Sequence, residues 1–133
     1  MNFSSEEHTG NHLPAVQENE RMVKYVKNPS LKVQLAVVEK YGWAIRHIKN
    51  PSPEVQLAAI KTTPGCIEFI ENPSFEAKCA AVRKDGRLIK HIKNPSPEIQ
   101  IIAITQNIGV FSFIENPCPE IINIVKTHEV MNS

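Results

Sequence analysis

Cysteine is scarce in this chain. Its 133 residues hold only Cys66, Cys79 and Cys118, an odd number with no CxxC spacing. That excludes a fully paired disulfide scaffold and fits a reducing, cytoplasmic setting. An excess of one charge is missing too: 15 basic and 14 acidic side chains leave a formal +1. A protein that coats nucleic acid is usually far more basic, because affinity grows with the number of phosphates neutralised. No apolar run reaches the roughly 18 residues of a membrane-spanning helix. The opening MNFSSEEHTGNH has neither a basic n-region nor an apolar stretch, so no signal peptide is expected. GxSxG, HExxH, P-loop and paired-carboxylate patterns are absent, and so is a glycine-rich phosphate loop. The expectation is a protein that is not an enzyme, with no catalytic residue, metal site or cofactor.

Proline is plentiful and ordered. Five of the ten prolines follow asparagine, at Asn28-Pro29, Asn50-Pro51, Asn72-Pro73, Asn94-Pro95 and Asn116-Pro117, always 22 residues apart. A fixed period of this size marks a solenoid, in which each unit packs only on its neighbours. The repeats run 28–49, 50–71, 72–93, 94–115 and 116–133, after a partial repeat at 13–27 and a frayed segment at 1–12.

Each repeat reads as a longer helix, a break and a short helix. Ser30, Ser52, Ser74 and Ser96 are placed as N-caps; Pro53, Pro97 and Pro119 suit the first helical position, with Leu31 and Phe75 there in the other repeats. Glu54, Glu76, Glu98 and Glu120 meet the positive end of the helix dipole. Cys118 replaces the capping serine and predicts a weaker start for the last helix. The helix body is apolar nearly all round, as in Val55, Leu57, Ala58, Ala59 and Ile60, which suits a helix packed between neighbours. Glu54, Gln56 and Lys61 are expected in solvent. Gly42, Pro64-Gly65, Gly86 and Gly109 are expected to end the first helix and turn the chain. The second element, AIRHIKN in the first repeat and CIEFIEN in the next, has apolar residues three apart. One or two turns, 3₁₀ as well as α, satisfy that spacing. The next proline stops it. In the last repeat Asn123, Lys126 and Thr127 give a polar outer face, as a terminal repeat requires.

The Asn-Pro-x-Pro-Glu run at 50–54, 94–98 and 116–120, in units alternating a longer and a very short helix, resembles the leucine-rich repeat variant proteins, which belong broadly with HEAT-like and armadillo-like folds. Repeats of the NPSPEVQLAAIK kind also resemble those in proteins of bacteria and their large phages. The resemblance spans Asn28 to about Lys126 and implies a right-handed all-α superhelix of alternating α and 3₁₀ helices. The 22-residue period is slightly short of that family's usual unit, and the cysteine cluster with which some members hold an iron–sulfur centre is missing.

Three surfaces are candidates for function. Gln34, Gln56, Lys78 and Gln100 form a polar line on the first helices, read as an exposed face that binds a protein partner, acting as an adaptor or as a phage or bacterial inhibitor that occludes a partner's surface. Lys24, Lys27, Arg46, Lys49, Lys90 and Lys93 form a basic ladder on the second elements, which a nucleic acid would use; Glu68 and Glu71 interrupt it and would repel phosphate. The solvated-face reading of the same ladder is that alternating charges hold the repeats in register. The third candidate is end-to-end self-association through the weakly capped last repeat and the sparse N-terminal one. His47 and His91 share a repeat position with Tyr25, Phe69 and Phe113. Two repeats, roughly 20 Å, separate the histidines, too far to share a metal; a partly buried ring ladder is expected instead. Trp43 is expected to cover the joint between helices. Cys66 and Cys79 fall at packed positions, and Cys118 at a cap that could be exposed.

Overall fold

The computed structural model describes residues 27–132. The segment 1–12, the partial repeat up to residue 26, and with it Lys24, lie outside the described residues. Among the described residues five α-helices alternate with four 3₁₀ helices and there is no strand: α1 (Leu31–Lys40), η1 (Gly42–His47), α2 (Pro53–Thr62), η2 (Pro64–Phe69), α3 (Phe75–Lys84), η3 (Gly86–His91), α4 (Pro97–Gln106), η4 (Ile108–Phe113) and α5 (Pro119–Met131). The short second elements are six-residue 3₁₀ helices throughout.

The helix starts follow the serine rule. The hydroxyls of Ser30, Ser52, Ser74 and Ser96 accept from the N–H groups of Val33, Val55, Ala77 and Ile99 at 3.1–3.4 Å, satisfying donors that the helix itself leaves open. Cys118 makes no such bond. Each of α1 to α4 is then stopped by one residue, Tyr41, Thr63, Asp85 or Asn107. Its N–H closes the last α turn and its C=O accepts the first 3₁₀ bond.

The expected role of the glycines needs correcting. No glycine among the described residues has positive φ, and each lies one or two residues beyond the break, inside the 3₁₀ helix. Gly42 is required for close approach instead. A Cβ there would stand 2.6 Å from the Thr63 hydroxyl and 2.8 Å from the Ala59 carbonyl oxygen. Left-handed backbone appears at the Asn-Pro corners, where Asn28, Asn50, Asn94 and Asn116 have φ between 48° and 55°. Asparagine is among the few side chains that tolerate this region, which accounts for its place before the proline at these four corners.

The described chain falls into two compact units that divide after Ala77. In the first, α1 packs on α2, η1 on η2, and α2 meets both 3₁₀ helices; in the second, α4 packs on α5, η3 on η4, and α4 meets both 3₁₀ helices. Burial follows the 22-residue period. Val33, Val55, Ala77, Ile99 and Ile121 are inaccessible or nearly so, and Ile48, Ile70, Ile92 and Ile114 are buried at the ends of the 3₁₀ helices. At roughly 25 cal/mol per Å² of apolar surface, each such isoleucine contributes about 2 kcal/mol before chain entropy is counted. Helix α5 has 13 residues against ten for α1, and Asn123, Lys126 and Thr127 are exposed on it.

Candidate functional site

The glutamine line is not a solvent face. Gln56 and Gln100 are each only 4% exposed and both ends of each carboxamide are engaged. Gln56 Nε2 donates to the Pro51 carbonyl at 3.0 Å and its Oε1 accepts from the Ser74 N–H at 2.7 Å. Gln100 repeats the pattern with Pro95 at 2.9 Å and Cys118 at 2.8 Å. Gln34 Nε2 donates to Pro29 at 2.9 Å. The expected partner-binding surface through Gln34, Gln56, Lys78 and Gln100 is therefore withdrawn for its two buried glutamines, which bond one Asn-Pro corner to the start of the next helix. Lys78, half-buried, stands at the same repeat position with three donors and no acceptor.

A second tie joins consecutive α-helices near their ends. The Thr62 hydroxyl donates to the Glu39 carbonyl at 3.2 Å and Gln106 Nε2 donates to the Arg83 carbonyl.

The basic ladder is where the sequence places it. Lys27, Arg46, Lys49, Lys90 and Lys93 are exposed, as are Glu68 and Glu71. In the first unit a cleft of about 430 Å³ opens between the ends of η1 and η2, with Arg46, Lys49, Phe69 and Glu71 in its walls. The second unit has a cleft of about 210 Å³ between the ends of η3 and η4, with Lys90, Lys93, Phe113 and Glu115 in its walls. Each cleft thus presents two cations, one carboxylate and one phenyl ring. A separate groove between α1 and α2 is floored by Leu35, Leu57 and Ala58 and edged by Glu39, Glu54 and Lys61.

The rings are more open than expected. His47 and His91 are half-buried, but Phe69 and Phe113 are 42% and 44% exposed. Trp43 meets Phe69 edge-on, with ring centres 5.3 Å apart, and lies over Gly65. In the second cleft Lys90 Nζ sits 5.9 Å from the centre of the Phe113 ring, within cation–π range. Arg46 Nε donates to His47 Nε2 at 3.3 Å.

All three cysteines are buried and none is in a disulfide, so the Cys118 cap position, open to exposure on the sequence alone, is covered. Burial pushes the Cys66 thiol up to about 11, the opposite of what a nucleophile needs. The Glu120 carboxyl is held below the usual carboxylate range by its own backbone N–H and then by the Cys118 side chain.

One ion pair escaped sequence reading. Asp85 accepts from the backbone N–H of Arg87 and from both arms of its guanidinium at 3.0 Å, and the Arg87 side chain is the main reason its carboxyl lies below the ordinary value. Arg87 is exposed and Asp85 half-buried, so solvent screens the pair and it adds little stability. Its sequence signal was position: Asp85 and Asn107 both stand just before a 3₁₀ helix, and Asn107 likewise accepts from the Gly109 N–H at 2.9 Å.

Among the described residues no three His, Cys, Asp or Glu side chains are grouped as a metal site requires, and no helix is long and apolar enough to cross a membrane. No protein-family model, curated protein or solved structure matches the chain.

Proposed function

We propose that the chain is a non-catalytic repeat scaffold, a right-handed α-solenoid of five 22-residue repeats, that binds a protein partner at the ends of its 3₁₀ helices. The observation that carries this reading is the mixed character of those ends in each unit: the same grouping of two cations, a carboxylate and an exposed phenyl ring occurs at 46–71 and at 90–115. Protein surfaces offer both charges and apolar side chains, and exposed aromatic and basic residues are the usual anchors of such contacts. Buried thiols, with Cys66 held protonated, supply no ready nucleophile.

Nucleic-acid binding is the second reading, favoured by the exposure of Lys27, Arg46, Lys49, Lys90 and Lys93. Glu71 and Glu115 in the same clefts weigh against it, since each would face the phosphate backbone.

Co-purification from native lysate, with and without nuclease, separates the two. A stoichiometric protein that survives nuclease and moderate salt is the expected result. Captured material that disappears with nuclease would move the assignment to nucleic acid.

A further inference from the structure

The 22-residue repeat conceals a period of 44. Features that recur at the doubled spacing are specific: Gln56 and Gln100 bridge an Asn-Pro corner to the next helix, and Thr62 and Gln106 tie to the carbonyl 23 residues earlier. Gly42 and Gly86 let a backbone approach the Ala59 and Ala103 carbonyls. The two clefts obey the same shift. Arg46, Lys49, Phe69 and Glu71 become Lys90, Lys93, Phe113 and Glu115 when 44 is added. The first repeat of each pair supplies the basic wall, and the second supplies the phenyl ring and the carboxylate.

We infer that the chain carries two equivalent peptide clefts, each built by one pair of repeats, and that each selects an acidic side chain standing beside an apolar one. This rests on the protein-scaffold reading and names its ligand chemistry. Charge complementarity is the warrant. Two cations against one carboxylate leave each cleft with an excess of one positive charge, and the floor offers little competition. In the first cleft the Pro51 carbonyl is already bonded to Gln56, and in the second the Pro95 carbonyl to Gln100. The polar groups left for a ligand are therefore on the walls. A ligand carboxylate meets the cations, and its apolar neighbour lies on the open phenyl ring, 42% exposed in one cleft and 44% in the other. Glu71 and Glu115 disfavour a run of negative charges, so an isolated acidic residue fits better than a polyanion. The clefts differ in their cations: Arg46 in the first donates through Nε to His47, and Lys90 in the second is a point charge placed over Phe113.

Amide chemical-shift titration of the full chain tests this, with a blocked Glu-Leu-Glu peptide as probe, its Gln-Leu-Gln analogue as control and an oligothymidylate as the polyanion. Two saturable clusters of shifts are expected, around 46–49 with 69–71 and around 90–93 with 113–115. The glutamine analogue should bind at least about tenfold more weakly. R46E/K49E should erase only the first cluster and K90E/K93E only the second, each variant keeping the wild-type far-UV circular dichroism and melting temperature. Shifts confined to other regions, equal binding of the analogue, or saturation by the oligothymidylate alone would overturn the proposal. So would a failure of the peptide to bind while the nuclease-resistant partner stays attached, a result that would leave the scaffold reading in place.

Discussion

Two joints in this molecule use the same glutamine and end in different residues. At one, the Ser74 N–H donates to Gln56 Oε1 at 2.7 Å; at the other, the Cys118 N–H donates to Gln100 Oε1 at 2.8 Å. The backbone bond is the same. The side chains part company: the Ser74 hydroxyl caps α3 through the Ala77 N–H at 3.1 Å, while Cys118 leaves α5 without a side-chain cap and Glu120 engages the same helix start. The repeat position therefore does two separable things. It receives the preceding repeat through its backbone, and it starts its own helix through its side chain. Only the first survives the change to cysteine.

The most severe way to break the comparison is to remove the glutamines. Gln56→Leu strands the Pro51 carbonyl and the Ser74 N–H, and Gln100→Leu does the same to Pro95 and Cys118. A buried group left unsatisfied costs about 1–3 kcal/mol, so each variant should lose about 2–4 kcal/mol in urea unfolding. Loss well under 1 kcal/mol would mean that water replaces the bonds.

Cys66 gives the next effect, read through pH. Its thiol titrates higher in the folded state, at about 11 against 9.0, so the folded form favours the neutral thiol. That contribution is fully present below about pH 9 and is lost as pH rises towards 11, up to about 2 kcal/mol. Cys66→Ala, which installs the residue found at Ala44 in the preceding repeat, should flatten this part of the alkaline decline. Parallel wild-type and variant curves between pH 8 and pH 11 would contradict it.

Exchanging the caps is milder. Cys118→Ser should stabilise by about 1 kcal/mol and Ser74→Cys should destabilise by a similar amount, both measured as shifts in the urea midpoint. If neither moves the midpoint, the side chain at this position contributes nothing beyond its backbone bond. The smallest effect is expected at Lys78, which lacks the acceptor that Gln100 offers to the residue 18 positions on. Lys78→Gln should add a bond from the Ser96 N–H and raise stability by about 0.5–1.5 kcal/mol; a loss of stability would show that this joint is organised differently.

Much of the fold was legible because its causes are local. The Asn-Pro corners, the serine caps and the three-residue apolar spacing of the short helices each need only a few neighbouring residues. Cys79 is buried as its packed repeat position suggests, although its counterparts Leu35 and Leu57 are half-buried beside the groove between α1 and α2. The glutamines were misread because glutamine is also a common solvated helix residue, and their acceptor role involves a residue 18 positions away. A signal was nevertheless present. Val38, Ile60 and Ile104 lie four residues after Gln34, Gln56 and Gln100, and all three are core, so the glutamines share the core-facing side of their helices. The clefts were legible only as charge. That Phe69 and Phe113 stay open beside the cations depends on how two consecutive 3₁₀ helices end, which no local pattern specifies.

The most direct test sets binding against stability in one experiment, comparing the R46E/K49E/K90E/K93E variant with Ser74→Cys for melting temperature and for retention of the co-purified partner. The quadruple variant should melt like the wild type and lose the partner, while Ser74→Cys, which removes only a helix cap, should melt lower and keep the partner at temperatures where it remains folded. A quadruple variant that keeps its partner would contradict the assignment of function to the 3₁₀-helix ends.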